Sequence, residues 1–86
     1  MSEDPKERTR TYLAAIEKSL RQLESVNNPD ALRVIDYARR YVADSKYFLE
    51  TGKSTTALAS VAYAEGLLDS LSIIGLSDSR GLTRPS

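Results

Sequence analysis

Cysteine and histidine are both absent from the 86 residues of this sequence. Without cysteine the chain has no disulfide and no thiol nucleophile, and without histidine it has no imidazole for acid–base catalysis. Most structural zinc sites are built from the same two residue types and are excluded with them. We therefore expect the fold to be held together by the packing of apolar side chains.

A charge excess of either sign is also absent, because 12 basic residues balance 12 acidic ones. A protein that binds nucleic acid normally has a strongly basic face, so the composition disfavours that class of partner. RNA binding stays open only through a local basic patch, formed by Lys6, Arg8, Arg10, Arg39 and Arg40. Acidic residues are interleaved with the first three of these, so we predict no nucleic-acid partner.

Long apolar runs are missing as well. No segment is apolar over the roughly 20 residues that a membrane-crossing helix needs. The charged first residues, 1–5, also lack the apolar region of a signal peptide. We therefore predict a cytoplasmic protein with no membrane partner.

A chain of 86 residues has room for one domain. We expect a single helical domain over residues 1–75 and a flexible, disordered tail at 76–86, where small polar residues follow without any period. A chain this short buries only about 60–65% of its unfolded surface, which favours association with a second copy or with another protein.

The first predicted helix covers about residues 5–25. Asp4 is placed to cap it, and Pro5 suits its first position. The apolar positions that form its core-facing stripe recur every three or four residues: Leu13, Ile16, Leu20 and Leu23. A stripe of this width is typical of a helix that packs on a single core.

The second and third predicted helices cover about 29–51 and 54–74. The Asn-Pro pair that begins at Asn28 marks the first break, and Asn28 is the expected N-cap of the second helix. Gly52 marks the second break, with Ser54 as the expected N-cap of the third helix. Because both connections are short, neighbouring helices should run antiparallel. The sequence therefore predicts an all-α protein, a three-helix bundle.

The third helix has an unusually wide apolar arc, roughly 220 degrees at about 100 degrees per residue. One neighbouring helix cannot cover such an arc. Either the third helix lies centrally between the other two, or it also contacts a partner protein or a second copy of the chain as a homo-oligomer. The candidate interface combines its apolar residues with aromatic residues of the second helix: Leu58, Leu67, Ile74, Tyr37 and Tyr41.

Two acids one turn apart, Glu65 and Asp69, border the apolar arc. Gly66 beside them costs about 1 kcal/mol relative to alanine in the middle of a helix and therefore needs a reason. Close packing against the first helix, or a neighbour covering that side, would supply one. Together with Tyr63 these residues form the candidate functional surface.

The run Tyr-Ala-Glu-Gly-Leu-Leu-Asp at 63–69, preceded by Gly-Lys-Ser at 52–54 and closed by Gly75, resembles the signature of the DUF357 family, short archaeal proteins of unknown function. The resemblance extends from about Tyr12 to Gly75. It implies a compact, cytoplasmic helical domain with no assigned activity, in some proteins beside a nucleotidyltransferase-like domain. It carries no catalytic role over to this chain.

Two functional hypotheses follow. The first is a noncatalytic interaction or regulatory module that docks through the third helix. The alternative is a carboxylate-dependent protein that binds or processes a nucleotide or phosphate, with Mg²⁺ held by Glu65 and Asp69. No Gly-rich phosphate loop or arginine cluster accompanies the two acids, so we favour the first hypothesis and assign no catalytic residue, metal ligand or cofactor.

Overall fold

The computed structural model describes residues 4–75, and all of its regular structure is helical. Helix α1 spans Pro5–Gln22, α2 spans Pro29–Glu50 and α3 spans Ser54–Ile73. The predicted all-α fold of three packed helices is therefore confirmed. The predicted tail at 76–86 lies outside the described residues.

The first helix is three residues shorter than the sequence predicts. It ends at Gln22, and the backbone N–H of Leu23 donates to the carbonyl oxygens of Ser19 and Leu20, both at 3.1 Å. Leu23 and Val26 are nevertheless buried, so the turn after α1 keeps its apolar side chains on the core. Apolar residues continue at helical spacing beyond the last residue of α1. The sequence therefore predicts an end of the helix that is three residues too late.

Two of the three predicted caps are present. A carboxylate oxygen of Asp4 accepts from the N–H of Lys6 at 3.0 Å, and Asn28 Oδ1 accepts from the N–H groups of Asp30 and Ala31, each at 3.0 Å. These bonds satisfy amide donors that have no partner inside the first helical turn.

The predicted cap at Ser54 is wrong, because Ser54 is the first residue inside α3. Lys53 occupies the N-cap position, and no side-chain cap forms there among residues 4–75. Gly52 adopts a left-handed backbone with φ +81, which lets the N–H of Lys53 donate back to the carbonyl of Phe48 at 2.8 Å. The chain completes its turn one residue earlier than the serine suggests.

Helix α3 packs against both other helices, whereas α1 and α2 make few contacts with each other. Ser45 Oγ on α2 donates to the carbonyl of Ala57 on α3 at 2.8 Å, and the Tyr41 ring meets the Tyr63 ring farther along, so α2 and α3 run antiparallel. Of the two arrangements open for the wide apolar arc, the central position of α3 is present.

Small residues allow α2 and α3 to approach closely. Ala31, Ala38, Ala57 and Ala64 are completely buried, and the register set by the Ser45 bond places Ala38 opposite Ala64. The larger core side chains come from all three helices and from the connection between α1 and α2: Leu13, Ile16, Leu20, Leu23, Val26, Ile35, Val42, Val61, Leu68 and Leu71. The core therefore lies along the inward side of α3.

One α1–α2 contact is electrostatic, an ion pair between Lys46 Nζ and Glu17 Oε2 at 2.5 Å. Across residues 4–75, none of the helices is long and apolar enough to cross a membrane.

Candidate docking surface on the third helix

The outward side of α3 is covered by neither of the other helices. We call it the open face; its residues recur at three- and four-residue steps and are all exposed: Ala59, Ala62, Tyr63, Gly66, Ser70 and Ile73. Ile73 is 83% exposed and Tyr63 is 56% exposed. Ile74, which caps the helix end, is exposed beside them. Large apolar side chains are thus exposed to solvent on a helix whose residues are mostly apolar.

Charge is nearly absent from this helix. Over its 20 residues α3 carries no lysine or arginine, and its acids are Glu65 and Asp69. A solvent-facing side of a helix is normally polar and charged, as it is on α1 and α2. The open face therefore has the composition of a covered surface rather than of a wet one.

Gly66 lies in the centre of the open face. A Cβ built on it would meet no atom of the described residues within 4 Å. Of the two reasons that the sequence leaves open for this glycine, close packing against α1 is therefore wrong within the described residues. Gly66 lies on the outward side of α3, because the buried residues Ala64 and Leu68 lie on the opposite side of the helix.

Tyr63 marks the border between the open face and α2. Its ring meets that of Tyr41 edge to face, with centroids 4.6 Å apart and planes at 60°. One turn along α2 from Tyr41, Tyr37 is exposed, and the Arg40 guanidinium lies 5.5 Å from the centre of its ring. These aromatic side chains extend the apolar surface from α3 onto α2.

The other residues of the predicted interface have a different environment. Leu58 and Leu67 are half-buried and pack against the core, on the sides of α3 that meet its two neighbours. Their own chain covers much of each side chain. The exposed apolar surface of α3 belongs instead to Ile73 and Ile74 at its C-terminal end.

Glu65 and Asp69 border α3 on the side facing α1, but they line separate hollows. Glu65 is half-buried in a hollow of about 300 Å³ formed with Arg8, Thr11, Tyr12 and Ala15. Asp69 lines a second hollow of about 250 Å³, together with Ser19, Gln22, Leu23, Leu68 and Ser72.

Tyr63 lies across the helix from both acids, on the α2 side. The four residues of the candidate functional surface therefore spread over about 160° of α3, at roughly 100° per residue, instead of converging on one ligand. Within residues 4–75 no three Asp or Glu side chains come together as a metal-binding group. A Mg²⁺ site normally needs more oxygen ligands than two separated carboxylates supply, apart from water and substrate.

A groove of about 510 Å³ runs between α1 and α2, where these helices diverge. Leu20 and Val42 form its floor, and Arg21, Glu24 and Arg39 stand on its rim. Basic and acidic side chains alternate there, so the groove shows no preference for a ligand of one charge.

Sequence reasoning missed the exposed members of the open face, Ala59, Ala62 and Ile73. The alanines of α3 look alike in the sequence, although Ala57 and Ala64 are buried inside the chain and Ala59 and Ala62 are exposed. The signal that could have found the face is the complete lack of lysine and arginine between Ser54 and Ile73.

No curated protein and no solved structure matches this sequence. The sequence model of one family does match, described as "Protein of unknown function (DUF357)", and it covers residues 9–77. That match includes all of α2 and α3, most of α1, and therefore the whole open face. The chain belongs to the DUF357 family.

Proposed function

We propose that this protein is a noncatalytic interaction module that docks on another helix through the open face of α3. The observation that best supports this is the exposure of Ile73 and Tyr63 on a helix that has no basic residue. Large apolar side chains exposed together on one face of a helix are typical of a protein–protein contact.

The side chains on the open face are suited to binding. Burying a residue such as isoleucine contributes about 1.5–3 kcal/mol relative to leaving it in water. Tyrosine is one of the residue types most often found among the few that dominate an interface. Ile73 and Tyr63 lie on opposite sides of Gly66 along α3, so they would anchor a partner at two points.

The small residues between these anchors set the shape of the partner. Ala59, Ala62 and Gly66 have small side chains or none, so another helix can approach the backbone of α3 closely along this face. A helix is the element that follows such a face over its full length. The face is therefore suited to helix–helix packing rather than to a small molecule.

Photocrosslinking in cells of the native host tests the proposal. The full chain carries p-benzoylphenylalanine in place of Ala62 on the open face or, as the matched control, in place of Ala14, an alanine that is also exposed but lies on α1. We expect discrete crosslinked products from position 62 and none from position 14. No product at 62, or the same products at both positions, would contradict the proposed function.

A further inference from the structure

We propose that the partner of the open face is a second copy of this chain, with the two α3 helices crossing antiparallel at Gly66. This inference rests on the proposed function, because it names the occupant of the same surface. Its support is the self-complementary pattern of size and charge along α3.

The size pattern is centred on Gly66. Ile73 follows it by seven residues and Ala59 precedes it by seven, so the two share the open face at equal distances from the glycine. An antiparallel pair with a two-fold axis at Gly66 places Ile73 against the partner's Ala59, at both ends of the contact. Each large side chain meets a small one, and the two helices stay equally close along their length.

A parallel pair of the same faces lacks this match. It would set Ile73 against the partner's Ile73 and Ala59 against the partner's Ala59. The helices would be forced apart at one end and would leave a gap at the other, which forfeits packing contacts. Size complementarity therefore selects the antiparallel arrangement.

Charge disfavours an anionic membrane or a nucleic acid as the partner, because the open face has no base and offers neither of them a cation. Charge also permits a second copy, since the formal net charge of zero leaves no long-range repulsion between whole chains. The nearest charge to the open face is the exposed acid Asp69. In the antiparallel pair the two Asp69 residues are offset by about 9 Å along the helix axis, at roughly 1.5 Å per residue, which limits their repulsion.

The contact is small. A helix of 20 residues is about 30 Å long at roughly 1.5 Å per residue, and one helix pair of that length is at the lower end of specific interfaces. We therefore expect a dimer with a dissociation constant of roughly 1–100 µM. Such a dimer separates on dilution into folded monomers.

Sedimentation equilibrium of the full chain is the first test. We expect a reversible monomer–dimer equilibrium for the natural sequence. Gly66→Arg should weaken the dimer at least tenfold, roughly the effect of 1.4 kcal/mol, because its long side chain holds the two helices apart at the crossing point. Ala14→Arg adds the same charge on an exposed part of α1 and should leave the dimer intact.

Gly66→Arg should still fold, because a Cβ at that position meets no atom of the described residues within 4 Å. Circular dichroism checks this independently of association. Equal dimerisation of Gly66→Arg and Ala14→Arg, or a chain that stays monomeric up to about 1 mM, a concentration far above the expected dissociation constant, would overturn the proposal.

Cysteine crosslinking tests the direction of the helices, and the chain's lack of native cysteine makes each introduced thiol unambiguous. We expect Ala59→Cys chains mixed with Ile73→Cys chains to form a disulfide-linked heterodimer under mild oxidation. Ala59→Cys alone should not crosslink, since its two thiols lie far beyond disulfide reach in the antiparallel pair. Efficient self-crosslinking of Ala59→Cys would instead indicate a parallel pair and overturn this arrangement.

Failure of self-pairing is distinguishable from failure of the docking function. A monomeric chain whose position 62 still crosslinks in cells to a protein of different mass would overturn the second-copy proposal and leave the docking function standing. A monomeric chain with no crosslink at position 62 would overturn both.

Discussion

At Gly66 the structure separates two explanations that the sequence leaves open. Mid-helix glycine costs stability, and no contact among the described residues explains this one. Asn28, by contrast, was predictable as a cap, since an amide side chain before Pro29 has a local role that needs no knowledge of the tertiary fold. What surrounds Gly66 depends on how three helices pack, which a single sequence does not specify.

Replacing Gly66 by alanine should raise the free energy of unfolding by about 1 kcal/mol, because alanine is the better helix former and its methyl group meets no atom of residues 4–75 within 4 Å. Urea denaturation measures this at a concentration low enough to keep the chain monomeric. Gly52→Ala is the matched control and should lower stability, because Gly52 has φ +81. A destabilised Gly66→Ala monomer would mean that the open face is covered within one chain.

At the scale of helices, α2 owes its start to Asn28. Its side-chain oxygen accepts hydrogen bonds from two first-turn amides, those of Asp30 and Ala31. Asn28→Ala should therefore cost about 1 kcal/mol of unfolding free energy in thermal or urea denaturation. The neighbouring Asn27→Ala is the control and should be close to neutral. Equal effects at the two positions would show that the cap does not stabilise α2.

The pairing of α2 with α3 can be tested through Ser45, which is fully buried and donates across the interface to the carbonyl of Ala57. Ser70 also lies in a helix, but it is exposed and donates to Leu67 within its own helix. Replacing either serine by alanine improves the helix propensity by the same amount. The difference in unfolding free energy between the two variants therefore reports mainly on the hydrogen bond between the helices. We expect Ser45→Ala to be less stable than Ser70→Ala by about 1 kcal/mol in urea denaturation of the monomer. Equal stabilities would contradict this register.

The helices themselves were predictable, because apolar period and break residues are local signals. The ends of the helices were harder to predict. Helix α1 ends at Gln22, although Leu23 and Val26 beyond it are also apolar and buried. The central place of α3 was one of two arrangements that its wide apolar arc allowed. Deciding between them needed the contacts of α3 with both neighbours.

In the whole molecule, the central helix α3 has an outward side that neither of the other two helices covers. Helix α3 supplies much of the inward core and yet presents Tyr63, Gly66 and Ile73 to solvent. The separation of Tyr63 from Glu65, about 200° at roughly 100° per residue, follows from sequence spacing. Which neighbouring helix each residue faces does not, because that depends on how α1 and α2 pack against α3. The central claim is that the outward side is covered in the working protein.

Hydroxyl-radical footprinting in intact cells tests that claim most directly, through two tyrosines of similar exposure. Tyr63 on the open face is 56% exposed, and Tyr47 on α2 is 61% exposed. In dilute purified protein both rings should be oxidised to a similar extent. In cells we predict that Tyr63 is protected several-fold while Tyr47 is not. Equal oxidation of Tyr63 and Tyr47 in cells would contradict the account.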